Sequence, residues 1–190
     1  MTSKIVTLYD QPNLDDTHFK GHVKVYKNGK LIVDDDNHIV IMGRHYLMQR
    51  LFGLPYSFGV DEHTWSPKWF SVGSGGAAMD TPFQQLMPTD EDTNCYNPIM
   101  FNTTGGARYT TDHYKKLIDS IEYASALSAK MTMTVDAADC VNGYINEAVF
   151  FVSPTEDQTE TQFKCFSHIC FPTFPKGDMD SIIFEWYLIF

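Results

Sequence analysis

The sequence predicts a mainly β fold, an antiparallel β-sandwich with one short α-helix and long ordered loops. Three observations carry that prediction. First, apolar and polar residues alternate along two runs. Ala129, Met131, Met133 and Val135 interleave with Lys130, Thr132, Thr134 and Asp136. Ile182, Phe184, Trp186, Leu188 and Phe190 form one unbroken apolar face opposite a mixed one. A period of two is the signature of a strand with one face buried. Second, Asn28-Gly29 joins two such runs, and Asn-Gly tolerates the positive φ angles of a type I′ hairpin turn. Third, turn clusters at Asn142-Gly143, Pro154 and Lys176-Gly177-Asp178 separate the later strands at sandwich spacing.

Residues 1–20 read as an irregular N-terminal arm, with Pro12 and an Asp15-Asp16 pair, ahead of a single domain over 21–190. His22 to Lys27 and Lys30 to Val33 make the hairpin, and Asp34-Asp35-Asp36-Asn37 ends it. A helix follows near 39–52, because Ile39, Met42, Tyr46, Leu47 and Leu51 recur at helical spacing. Asn37 is its expected N-cap, and Gly53 with Pro55 stops it. Gly43 inside that helix costs about 1 kcal/mol of propensity relative to Ala. It therefore implies a close backbone approach or a helix that begins only there. Residues 55–106 are rich in Gly, Pro, Asn, Asp and Thr and read as a loop-rich insertion with short strands such as Lys68 to Val72. A loop region this long usually carries function. Without a catalytic constellation, that function means contact with neighbours. In the next strand Ile145, Glu147, Val149 and Phe151 share a face.

Composition narrows the function classes. The chain has 190 residues, 14% of them aromatic, too many for a disordered chain to leave in water. Its 14 Lys and Arg against 24 Asp and Glu give a net charge of -10, spread over both halves. Phosphate binding needs a cationic face, so nucleic acid is not an expected direct partner. No long apolar segment near Met1 suggests a signal peptide, and no run of about 18 apolar residues suggests a membrane span. Cys95, Cys140, Cys165 and Cys170 contain no C-x-x-C and read as buried reduced thiols. Cys165 and Cys170 differ in parity, which places them on opposite faces of a strand. Asn102-Thr103-Thr104 is a glycosylation sequon only in a secreted chain.

Motifs with chemical content resolve to structural roles. Gly73-Ser74-Gly75-Gly76-Ala77-Ala78 matches the form of a dinucleotide fingerprint. That fingerprint needs a following helix, and Pro82 blocks one, so no cofactor is expected and the glycines make a tight loop. Asp34-Asp35-Asp36 lacks the staggered oxygens, glycine and late Glu of a calcium loop and reads as a solvated turn. Asp61-Glu62-His63 and the scattered histidines show no paired metal-ligand spacing, so no metal is expected. No G-x-S-x-G occurs, and nothing singles out a pair of carboxylates for glycoside cleavage. Glu147 stands apart because it shares an apolar face. A carboxylate there must be hydrogen-bonded to backbone or a cation, so its expected role is to tie down a loop.

Several segments, taken in order over about 23–190, resemble a group of small β-rich virion proteins of tailed bacteriophages. They are the hairpin Val25-Tyr26-Lys27-Asn28-Gly29-Lys30 and the helix start Asn37-His38-Ile39-Val40-Ile41-Met42-Gly43-Arg44. Ser71-Val72-Gly73-Ser74-Gly75 and the strand Ile145-Asn146-Glu147-Ala148-Val149-Phe150-Phe151 follow. Last come Lys176-Gly177-Asp178 and Glu185-Trp186-Tyr187-Leu188-Ile189-Phe190. At Ala148-Val149 the chain departs from the group's Val-Gly. The resemblance implies a non-enzymatic structural part of a virion, in the neck or collar, with tail, baseplate or capsid decoration as neighbouring possibilities. Its partners are then other copies of itself and adjacent virion proteins, arranged with symmetry. Trp65, Trp69, Phe70 and Phe83 are the candidate interface anchors, since aromatics are enriched at interface hot spots. A reading from another class is a carbohydrate-binding β-sandwich, in which exposed Trp65 and Trp69 stack on sugar rings.

Overall fold

The structure is a computed structural model that describes residues 20–52, 65–78, 84–102 and 107–189, with backbone alone for 49–52. The expected arm therefore lies outside the described residues except for Lys20, and so does Phe83. The chain is mainly β with one short helix. Its strands are β1 (Lys20–Lys27), β2 (Lys30–Ile39), β3 (Ser66–Gly73), β4 (Lys116–Leu117), β5 (Ser120–Ser125), β6 (Ser128–Val135), β7 (Gly143–Ser153), β8 (Lys164–Lys176) and β9 (Ile182–Ile189). The helix α1 spans Ile41–Phe52.

The strands do not divide into two separate sheets. They form one antiparallel sheet in the order β4-β3-β7-β8-β2-β1-β9-β6-β5. The long strand β2 makes the corner: up to Asn37 it pairs with β1, and then His38 and Ile39 pair with His168 and Ser167 of β8. The two edge strands are consecutive in the chain, with only Ile118 and Asp119 between them. Ile118 N–H donates to the Lys68 carbonyl (2.9 Å), and Asp119 N–H donates to that of Thr132 (2.8 Å). The sheet thus curls until its edges are bridged by two residues. Its halves meet across an aromatic core. Phe150 packs on Trp186 with centroids 5.9 Å apart, and Phe171 packs on Phe184 at 6.1 Å. Burial of Ile182, Phe184, Trp186 and Leu188 alternates with the half-buried positions between them, as the period-two pattern requires.

The hairpin turn has Asn28 at φ 51° and Gly29 at φ 79°, the positive angles a type I′ turn needs. Three local expectations are corrected. Asp34 to Asn37 do not end the hairpin but continue β2, opposite Lys24 to Gly21. Asp34 and Asp36 lie on the solvent side, where His22 Nε2 and Nδ1 meet their carboxylates at 2.6 and 2.9 Å. Asn37 is a buried strand residue whose Nδ2 donates to Ser167 Oγ, so it cannot cap the helix. The helix starts two residues later than expected, at Ile41, whose N–H donates to the Asp90 carbonyl (2.9 Å). Gly43 has the close approach its cost implied: a Cβ there would stand 2.1 Å from the Phe166 carbonyl oxygen.

Strands β7 and β8 form the middle of one half and are covered on both faces. Ala148, Phe150 and Val152 face the main core, while Val149 and Phe151 join Val40, Trp69, Cys95 and Cys165 in a second cluster behind it. Phe150 pairs with Ser167 but Phe151 with Cys165, so Phe166 is an extra residue in β8. This bulge resets the alternation. Cys165 consequently lies behind the sheet on the same side as Cys170 and His168, not opposite Cys170 as parity alone predicts. All four cysteines are free and buried.

Candidate functional site

A dense, buried polar site lies behind β7 and β8, where loop residues 84–99 close over them. Glu147 on β7 pairs with Cys170 on β8, and Val149 pairs with His168 two residues away. Glu147 and Cys170 are thus cross-strand neighbours, with His168 on the adjacent diagonal. All three side chains are buried. Glu147 Oε1 accepts from Gly75 N–H (2.8 Å) and Asn97 N–H (2.9 Å), and Oε2 accepts from Tyr96 N–H (2.8 Å). His168 Nε2 lies 3.1 Å from the same Oε2, and its Nδ1 lies 2.7 Å from Asp92 Oδ2. Both ring nitrogens therefore face carboxylate oxygens. Asp92 also accepts from Thr89 N–H (2.9 Å) and from Tyr96 Oη (3.0 Å), and the Tyr96 ring meets His168 edge-on at 4.8 Å.

These contacts set the charges. Burial pushes the Glu147 carboxyl upward, but hydrogen bonds from His168 and from the N–H groups of Asn97, Tyr96 and Gly75 outweigh it, so Glu147 sits below the ordinary Glu range. Asp92 is lowered in the same way, against burial, by Thr89, His168 and Tyr96. The Cys170 thiol is pushed up to about 12 by burial, with the Glu147 and Asp92 charges adding to it. A thiol so placed is not a ready nucleophile. The arrangement can hold two loops against a strand pair, as expected of Glu147. The glycines of the 73–76 loop serve that geometry: a Cβ on Gly73 would stand 2.2 Å from Glu147 Oε1, and one on Gly76 2.3 Å from the Asn146 carbonyl oxygen.

A second buried cluster pins residues 109–119 to the turn after β6. Lys116 Nζ bonds Asp139 Oδ2 (2.7 Å) and also Asp136. Asp139 further accepts from Tyr109 Oη (3.0 Å) and from Asp136 N–H (3.0 Å). Burial opposes ionisation of both Lys116 and Asp139, and their mutual bonds outweigh it. Lys116 is raised and Asp139 lowered.

Of the four anchors proposed from sequence, Phe83 lies outside the described residues and the other three are not surface residues. Trp65, Trp69 and Phe70 are 3%, 0% and 1% exposed. Trp69 packs edge-on against Phe163 and donates Nε1–H to the Thr155 carbonyl (3.1 Å), and Phe70 packs on Phe101 and Phe184. The Trp65 ring lies under Lys164 Nζ at 4.6 Å. The physical reason is that β3 has core on both faces, so neighbouring aromatics of opposite parity both have somewhere to go. The same burial removes the exposed tryptophans that sugar stacking requires. Exposed apolar side chains lie elsewhere, singly at positions such as Met87, Tyr144 and Met179 and together on β5 and its turn, where Ile121 is 52%, Tyr123 91% and Leu127 65% exposed. Beside it, Pro67, Lys68, Leu117, Asp119, Ile121 and Glu156 line a shallow cleft of about 270 Å³ where the two sheet edges meet.

Sequence reasoning missed Asp92, His168, Lys116 and Asp139. Only His168 left a signal, as an imidazole inside the apolar run Cys165 to Phe171. The others sit in loops or on a two-residue strand, where their burial has no period to betray it. Comparison with protein-family models, with curated proteins and with solved structures finds no match for the chain.

Proposed function

We propose that this chain is a non-enzymatic structural protein of a tailed-bacteriophage virion, a neck or collar component assembled as a symmetric ring. The observation that supports assembly is edge strand β5. It is exposed along its whole length, has a strand neighbour only in β6 among the described residues, and carries Ile121 and Tyr123 on the outside. An edge strand offers unpaired N–H and C=O groups to another chain, and apolar side chains along it add to that pairing. The interface moves from the buried tryptophans to this edge. Its partners are other copies of the chain and adjacent virion proteins, without direct nucleic-acid contact, in keeping with the net charge of -10.

Light scattering on the purified protein tests the assembly, with an integral multiple of 21.7 kDa expected. Ile121→Lys with Tyr123→Lys should dissociate it while the far-ultraviolet circular dichroism of the subunit stays unchanged, because both side chains face solvent in the single chain. A monomer at every concentration overturns the ring. The position is tested by antibody labelling of intact particles under the electron microscope. Label at the head–tail junction supports the neck, label on the tail tip or shell reassigns it to the baseplate or to decoration, and its absence from purified particles overturns the virion role.

A further inference from the structure

The Glu147, His168 and Cys170 cluster has the composition and spacing of a transition-metal centre. The three ligand atoms, a carboxylate oxygen, a ring nitrogen and Sγ, lie within 4.8 Å of one another. Nε2 is 3.1 Å from Oε2 and 3.8 Å from Sγ. Bonds of roughly 2.0 Å to nitrogen and oxygen and 2.3 Å to sulfur, at tetrahedral angles, separate these ligand atoms by about 3.3–3.5 Å. Two of the three ligand–ligand separations therefore lie within a few tenths of an ångström of such a tetrahedron's edges, and the third is no more than 4.8 Å. The outer shell is present as well. Asp92 Oδ2 holds His168 Nδ1 at 2.7 Å, which turns Nε2 toward Glu147 and Cys170. A carboxylate on the far nitrogen of a ligating histidine is the recurrent second support of metal sites. Backbone N–H groups of Gly75, Asn97 and Tyr96 fix the Glu147 carboxylate in turn.

We propose that Glu147, His168 and Cys170 bind one divalent zinc ion, with Asp92 as the positioning residue, as a buried centre that locks loop residues 73–76 and 92–97 onto β7 and β8. The mixed oxygen, nitrogen and sulfur donor set suits zinc, and three protein ligands leave one position for a water. A zinc ion there would take the Cys170 sulfur as thiolate, its thiol proton leaving, and the Nε2 lone pair of His168, with the remaining ring proton on Nδ1 facing Asp92. The strand register, not the spacing in the chain, assembles the ligands, since residues 147 and 170 meet only through the β7–β8 pairing. This inference stands independently of the virion role.

The test is metal analysis of the full chain purified from zinc-supplemented medium, and again after unfolding in chelator and refolding with zinc chloride. Stoichiometric zinc is expected in both. Cobalt substituted for zinc should show a thiolate-to-cobalt band in the near ultraviolet that Cys170→Ser abolishes. Asp92→Asn should weaken zinc binding roughly 10–100-fold in a chelator competition. Glu147 is left alone because it also holds the loops. Only trace zinc in wild type after refolding, or full zinc and an unchanged cobalt band in Cys170→Ser, overturns the proposal. If Cys170→Ser does not fold, the wild-type metal content and cobalt spectrum decide alone.

Discussion

Asp139 shows how a single carboxylate can hold several segments. It is fully buried and takes hydrogen bonds from Lys116, Tyr109 and the Asp136 and Asn102 N–H groups. Asp139→Asn keeps the shape but leaves the buried Lys116 ammonium with Asp136 alone. Removing one partner of a buried pair costs about 3–5 kcal/mol, and the remaining Asp136 contact argues for the lower end. The pH dependence follows from the directions of shift. Asp139 is lowered in the fold, so its contribution is whole above the ordinary value of 3.8 and is lost as pH falls below it. Lys116 is raised, so its contribution is whole below 10.5 and is lost as pH rises above it. Urea unfolding of Asp139→Asn should show the deficit across neutral pH and its near disappearance in strong acid. A deficit independent of pH would refute this account.

Gly43 illustrates a conflict between an element and its neighbour. Helix propensity alone says that Gly43→Ala stabilises α1 by about 1 kcal/mol. The Phe166 carbonyl decides otherwise, because a Cβ at 2.1 Å from backbone oxygen forces α1 away from β8. Gly43→Ala should therefore lower the melting temperature, and a rise would show that α1 can shift without loss. Phe166 is also the bulged residue of β8. One irregularity thus sets both the seat of α1 and the side on which Cys165 stands. Bulges of this kind have no mark in the alternation of the sequence before them.

At the scale of the molecule, stability should be graded across the curled sheet. β7 over 145–153 and β8 over 165–171 are buried on both faces and have strand neighbours on both sides, whereas β5 is exposed and lies at an edge. Amide hydrogen exchange should be slowest in 147–152 and 165–171 and fastest in 120–125, reflecting global and local opening. In an assembled ring, protection of 120–125 should rise, and 84–99 should stay protected as part of the subunit itself. Loop residues 84–99 illustrate why composition misleads here. Their Pro, Asn, Asp and Thr content reads as outward-reaching, yet Cys95 is buried and Asp92 and Tyr96 are turned onto His168.

Local chemistry in the sequence determined the β class, the Asn28-Gly29 turn, the apolar face of β9 and the tethering role of Glu147, and it left two readings of Gly43 between which the structure chose. Each depends on a period, a turn residue or a lone polar group within one segment, which neighbouring residues display directly. Tertiary structure alone decided the single curled sheet in place of two, the burial of Trp65, Trp69 and Phe70, and the meeting of Asp92, Glu147, His168 and Cys170. Those outcomes depend on which strands pair and in what register. A one-residue bulge such as Phe166 turns every following side chain to the other face, and that choice is made by packing between distant segments.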